Sequence, residues 1–172
     1  MALIVEDGTG KVDAEAYVSV ANADTYHTAY GNPAAWSGAS TAEKESALRI
    51  GAQYLDGKYA LRWLGIRANE TQALDWPRAG VEDSDGFLLD SDALPADLVR
   101  ANAIAALKVI NGDTLLPDLT SPGTIASESK SMPGPFSKSV TYVGGKSPYV
   151  TYSLIDALLS ALLRSGTAVH LA

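Results

Sequence analysis

The stretch Pro95-Ala-Asp-Leu-Val-Arg-Ala-Asn-Ala-Ile-Ala-Ala-Leu-Lys-Val-Ile-Asn-Gly112 decides how the rest of the chain is read. Pro95 suits the first turn of a helix, where its missing amide hydrogen costs nothing, and Asp97 favours the same positive helix end. From Leu98 to Ile110 the residues are apolar nearly all round, interrupted by Arg100, Asn102 and Lys108, and Asn111-Gly112 supplies the stop. Such a helix belongs in the middle of a core or between subunits, so a helical fold built around this segment is expected.

Two helices are expected before it. The first starts at Ser19 or Asn22, either of which can cap free amides, and stops at Gly31-Asn32-Pro33. Trp36 then falls in a small-residue loop. Ser40-Thr-Ala-Glu43 is a capping-box pattern, in which the serine oxygen and the glutamate satisfy amides at a helix start. Behind it Ala47, Leu48, Gly51, Tyr54 and Leu55 recur at helical spacing, with an end expected near Asp56-Gly57. From Tyr59 to Asp92 no period is sustained, and the segment reads as a long ordered loop pegged by Trp63 and Trp76.

After the central helix, five of the eight prolines lie between Pro117 and Pro148. No helix survives that density. The region reads as a hairpin: an arm Thr124 to Ser131, a turn at Met132-Pro-Gly-Pro135, and a second arm in which Phe136, Val140 and Tyr142 alternate with Ser137, Ser139 and Thr141. A last helix, about Tyr152 to Arg164, carries Leu154, Ile155, Leu158, Leu159, Leu162 and Leu163, an apolar face wide enough to need partners on several sides. The expected fold class is mainly α with a small β component (α+β). It is a single domain, 1–172, holding a small bundle of about four helices. Within it, 1–116 form a helical body with the Trp/Arg loop at 59–94, 117–149 the hairpin, and 150–172 a C-terminal helix and tail.

Composition excludes more chemistry than it suggests. The 172 residues are 47% hydrophobic, enough to bury a core, and contain no cysteine, which removes disulfides, thiolate metal sites and cysteine nucleophiles. A net charge of -7 opposes tight binding to a phosphate backbone, since that affinity comes from clustered Lys and Arg. The acidic run of Glu82, Asp83, Asp85, Asp90, Asp92 and Asp97 supplies only a fragment of an EF-hand around Gly86, and a solvated loop is the better reading. His27 and His170 have no zinc-ligand spacing, and we expect surface or packing roles for them. Gly144-Gly145-Lys146-Ser147 lacks the upstream glycine and the following helix of a phosphate loop and reads as a turn. No catalytic, cofactor-binding or metal-binding residue is assigned. The first residues carry no basic leader and no apolar run is long enough to cross a bilayer, so a soluble, intracellular, non-membrane protein is expected.

One constellation has character: Tyr59, Arg62, Trp63, Arg67, Trp76 and Arg78. Rings beside guanidinium groups could serve as a stacking platform for single-stranded nucleic acid. Tryptophans so spaced more often peg a loop to its core, with arginines bonding loop carbonyls, and we favour that reading.

The same loop carries a resemblance. The order Tyr59-x-x-Arg62-Trp63-x-Gly65-x-Arg67, then Gln72-x-Leu74-x-Trp76-Pro77-Arg78-x-Gly80, then Asp85-Gly86 and Leu94-Pro95, resembles the head-tail adaptor (connector) proteins of tailed bacteriophages. Some of those proteins carry the label "DnaT-like single-stranded DNA-binding protein". The likeness extends more loosely through the opening Val-Glu-Asp-Gly, the Tyr17-Val-Ser-Val-Ala-x-Ala-Asp24 entry to the first helix, and the hairpin. Here Met-Pro-Gly-Pro replaces a simpler glycine turn. The resemblance implies a virion protein of the neck, assembled in the host cytoplasm. Its copies would form a ring, commonly twelvefold, with the portal above, a stopper or tail-completion protein below, and DNA passing through without tight binding. No enzyme activity is implied. Leu154, Ile155, Leu158, Leu159, Leu162, Leu163, Val169 and Leu171 are the candidate subunit or portal interface.

Overall fold

The helix predicted from Pro95 to Gly112 forms and sits at the centre. In a computed structural model, which describes residues 2–116, 125–131, 137–142 and 151–164, five helices occur. They are α1 (Val20–Ala29), α2 (Ala34–Gly38), α3 (Thr41–Tyr59), α4 (Ala96–Ile110) and α5 (Ser153–Leu159), the last followed by a 3-10 turn, Ser160–Leu162. Two short antiparallel pairs complete the described elements: β1 (Ile66–Arg67) with β2 (Arg78–Ala79), and β3 (Ile125–Ser131) with β4 (Ser137–Tyr142). The fold is mainly helical with a small β component, as expected. Contacts divide the chain into a body, which runs from the N-terminus to Leu115 and resumes at Tyr152, and a second unit, Leu116–Thr151.

In the body, α4 buries Leu98, Ala101, Asn102, Ala103, Ile104, Ala105 and Ala106 and packs against α1, α2, α3 and α5. Small side chains let α3 come close. A Cβ on Gly51 of α3 would lie 2.8 Å from Asn102 Nδ2 and 3.2 Å from the Ala106 amide, so only glycine fits this crossing. Asn102 is fully buried and bonded at both ends: its Oδ1 accepts from the Tyr17 amide at 3.0 Å and its Nδ2 donates to the Leu48 carbonyl at 3.1 Å. The one polar residue deep in this apolar helix thus ties the N-terminal segment, α3 and α4 together.

The helix starts follow the caps. The Ser19 side chain accepts from the Asn22 amide at 3.1 Å. The capping box at α3 is complete, with Ser40 Oγ accepting from the Glu43 amide at 3.3 Å and Glu43 Oε2 accepting from the Ser40 amide at 2.7 Å.

Four boundaries differ from the sequence reading, each for an identifiable reason. Trp36 lies in α2, not in a loop, and its indole donates to Asp24 Oδ1 at 2.7 Å. Helix α3 runs through Gly57 to Tyr59, because Lys58 (2.8 Å) and the Tyr59 hydroxyl both engage Asp156 of α5. Pro95 precedes the first turn of α4, and its carbonyl accepts from the Leu98 and Val99 amides. Helix α5 gives way after Leu159 to the 3-10 turn Ser160–Leu162, and Leu163 is extended to pair with Trp63, which ends the helical path just short of Arg164.

In the second unit, β3 and β4 form the expected hairpin, with Ser131↔Ser137, Lys130↔Lys138 and Glu128↔Val140 as register partners and a shift between Ile125 and Ser127. The Met132–Pro135 turn lies outside the described residues.

Replacing Asn102 by Ala should lower the unfolding free energy by about 2–4 kcal/mol, from two orphaned backbone groups and a small cavity. Urea denaturation checks this, and a loss below about 0.5 kcal/mol would remove the clamp from the account.

Candidate functional site

The residues singled out in sequence converge on the bend that follows α3. After Tyr59 the chain turns, the Arg62 amide bonding the Tyr59 carbonyl at 2.8 Å, and Trp63 plunges into the core. Gly65 has φ +64°, and a Cβ there would lie 2.2 Å from the Ala79 carbonyl oxygen, so no other residue lets β1 reach β2. Gln72 holds the next turn: its Oε1 accepts from the Asn69 amide at 2.8 Å, and its Nε2 donates to the carbonyls of Leu74 (2.8 Å) and Pro77 (3.1 Å). Arg67 donates to the Gln72 carbonyl. The Trp76-Pro77 peptide is cis, and both residues are buried. Gly80 follows β2 and Gly86 turns the acidic loop beyond it, both exposed.

Trp63 and Trp76 are 1% and 0% exposed and meet edge to face, with ring centroids 5.9 Å apart at 88°. Tyr59 is buried beside Trp63 at 5.6 Å. Arg78 lies beneath, buried, and satisfies three carbonyls: Leu64 (2.6 Å), Asp75 (3.1 Å) and Gly65 (2.9 Å). Loop carbonyls folded into a core must find donors, and this guanidinium provides them. Burial pulls its pKa down. Every ring face in the bend is covered by protein, which leaves no platform for a base.

A polar junction under the bend went unread in the sequence. The Tyr17 hydroxyl donates to Asp56 and accepts from the amides of Asp75 (3.1 Å) and Trp76 (3.4 Å). Asp56 also accepts from the Asp75 amide at 3.3 Å, and Asp75 accepts from the Trp63 indole at 3.1 Å. Burial pushes the Asp56 carboxyl up to about 7 and the negative Asp75 adds to the rise, while the Tyr17 hydrogen bond opposes it. Asp56-Gly57 had signalled a helix stop; its partners are remote in sequence and no local pattern announces them. His27 is a packing histidine, buried with Nε2 3.1 Å from the Ala103 carbonyl and its ring 4.4 Å from Trp36. His170 lies outside the described residues. Among the described residues no group of three or more His, Asp or Glu converges as a metal site. A groove of about 470 Å³ between α2, α3 and α4 is lined by Ala35, Ala39, Val109 and Ile110 with Glu43, whose carboxylate is occupied by the capping box.

The C-terminal apolar residues are mostly spent inside the body. Ile155, Leu159, Leu162 and Leu163 are buried, Leu158 is half-buried, and Leu154 is 59% exposed. The partners that this wide face needs come in large part from the same chain: α5 packs on α4, the chain after it pairs with the bend, and of the described candidate interface residues Leu154 and part of Leu158 stay at the surface. The Leu64 amide bonds the Leu162 carbonyl at 3.0 Å, and the Arg164 amide the Arg62 carbonyl at 2.7 Å. Val169 and Leu171 lie outside the described residues.

A family model described as "Putative DnaT-like ssDNA binding protein" matches residues 1–172, and the chain belongs to that family. No curated protein and no solved structure matches it.

The junction sets a pH dependence. An Asp56 carboxyl that binds its proton more tightly folded than unfolded contributes stability at low pH, and the contribution is lost as pH rises from about 4 through about 7. Glu15, Glu43 and Asp24, held below their usual values, act in the more acidic range. The Asp56 contribution to the melting temperature should therefore fall between about pH 5 and about pH 8, while His27, whose pKa burial lowers, works in the opposite direction at the acidic end of that window. Asp56→Asn should flatten that slope in thermal melts, and equal slopes in the two proteins would count against the assignment.

Proposed function

We propose that this member of the family is a structural subunit of a tailed-phage particle, one copy of a ring-shaped head-tail adaptor in the neck. The observation that carries the reading is the burial of Tyr59, Trp63 and Trp76, with Arg78 spent on three carbonyls. The residues that make up the resemblance to adaptor proteins are thereby used to build shape. Shape is what an adaptor supplies, and it requires no cofactor and no catalytic group. The net charge of -7 suits a subunit lining a passage through which DNA slides, because repulsion keeps the duplex from sticking. In this reading the copies close a ring, commonly twelvefold, under the portal and above a stopper or tail-completion protein. Mixing the purified chain with its cognate portal should add a ring layer visible by electron microscopy. Portal particles unchanged at saturating protein would sink the proposal.

A second reading, single-stranded DNA binding, is favoured by the family's description and by the exposed Arg62, Arg67 and Arg164. With the rings covered, binding would run through phosphates alone, with a steep salt dependence and little base preference. Titration of labelled oligonucleotides decides between the two. Micromolar or tighter binding near physiological salt, weakened by Arg67→Ala, supports this reading, and its absence supports the adaptor.

A further inference from the structure

In the body, five of the six lysines and arginines away from the bend are matched by a carboxylate: Lys11 with Asp7, Lys44 with Asp24, Arg49 with Glu15, Lys58 with Asp156 and Arg100 with Asp97, at 2.8–3.0 Å, while Lys108 lies over the Tyr152 ring. The arginines of the bend are not. Among the described residues no carboxylate forms a salt bridge with Arg62, Arg67, Arg78 or Arg164, although the chain is strongly acidic. They are near one another: Arg67 is the register partner of Arg78, Arg164 bonds Arg62 through the backbone, and Arg78 feels the charges of Arg164 and Arg67 as well as the nearer opposite charge of Asp75. Beside them stand Leu61, 93% exposed, and Ile66, 71% exposed. A basic surface flanked by aliphatic side chains fits an anionic protein segment with apolar residues of its own. A phosphate backbone has no use for the leucine and the isoleucine.

The chain carries such a segment. Beyond β2, a tight loop is closed by the Glu82↔Leu88 bridge and by Asp83 Oδ1, which accepts from the amides of Asp85 and Phe87, both at 2.9 Å. Its geometry is set in advance, so little ordering entropy opposes docking. It presents Phe87 and Leu88, 71% and 69% exposed, among Glu82, Asp85 and Asp90, with no base between Arg78 and Arg100.

We propose that the arginine patch of one copy (Leu61, Arg62, Ile66, Arg67, Arg164) receives the acidic Phe87-Leu88 loop of a second copy. The contact deepens the adaptor reading and rests on it, since a patch and a complementary loop on every subunit allow the contact to repeat from copy to copy. Charge matching sets the register, and the four apolar side chains supply the area removed from water.

The absence of native cysteine makes the test clean. A tagged Ile66→Cys protein is mixed with an untagged Phe87→Cys protein and treated with a short bismaleimide. Mixed adducts should form, fall about tenfold when the first protein also carries R62E and R67E, and recover when the second carries E82K and D85K. No mixed adduct at any salt concentration, or one indifferent to the charge changes, overturns the contact. So does retention of oligonucleotides at physiological salt that R62E/R67E abolishes, because the patch then belongs to nucleic acid. Particle assembly separates the two levels. If phage lacking the gene fail to join heads to tails but R62E/R67E phage join them normally, the contact is wrong and the adaptor reading stands. If phage lacking the gene join normally, the adaptor reading itself fails.

Discussion

The structure depends on a single buried amide. Asn102 stands at the middle of α4, where nearly every neighbour is apolar, and its two ends bond the Tyr17 amide and the Leu48 carbonyl. Water is excluded there, so these bonds are worth more than surface ones, and leaving either unmade would cost the desolvation of its partner. The same few ångströms demand a glycine at position 51, where a Cβ would crowd Asn102 and the Ala106 amide, because the amide can bridge the elements only if the helices nearly touch. Tyr17 is thereby fixed by its backbone, and its hydroxyl is then free to organise Asp56 and the amides of Asp75 and Trp76. Core and bend are one continuous construction.

The bend solves a problem that any long loop poses when it enters a core: its carbonyls and amides lose water. Arg78 and Gln72 between them answer five carbonyl interactions, and the Trp63 indole finds Asp75. The indole nitrogen of Trp76 is buried without a partner among the described residues. Such a residue is retained for its ring, which packs against Trp63, more than for its donor. Solved this way, the loop's buried carbonyls are bonded within the chain, and the residues left at its surface stand on that bonded frame.

Much of the helical body was legible because the signals are local. The Ser40 to Glu43 box, the Ser19 cap and the apolar run of α4 act within one or two turns, and each forms as read. What escaped depends on distant partners. Nothing near Tyr59 tells that Asp156 will extend α3, and nothing near Leu159 tells that residues 162–164 will leave the helix to pair with 62–64. The leucines of the last helix illustrate the ambiguity best: a broad apolar face says that something covers it, not whether the cover is another subunit or the same chain. For Ile155 and Leu159 it is the same chain. The hydrogen-bonding role of Arg78 was anticipated, since arginines among buried carbonyls have few other uses, whereas the surplus of arginines without a salt-bridged carboxylate becomes visible only once the salt bridges elsewhere are assigned.

The pairing of residues 62–64 with 162–164 has a kinetic side. The bend cannot close its last backbone bonds until the C-terminal part of the chain has been made and brought back, so the tryptophan region is among the parts that mature late during synthesis. Until then Trp63 has only part of its cover and Arg62 lacks its backbone partner. The surface at the bend comes into being only once residues 162–164 have been made and brought back to it.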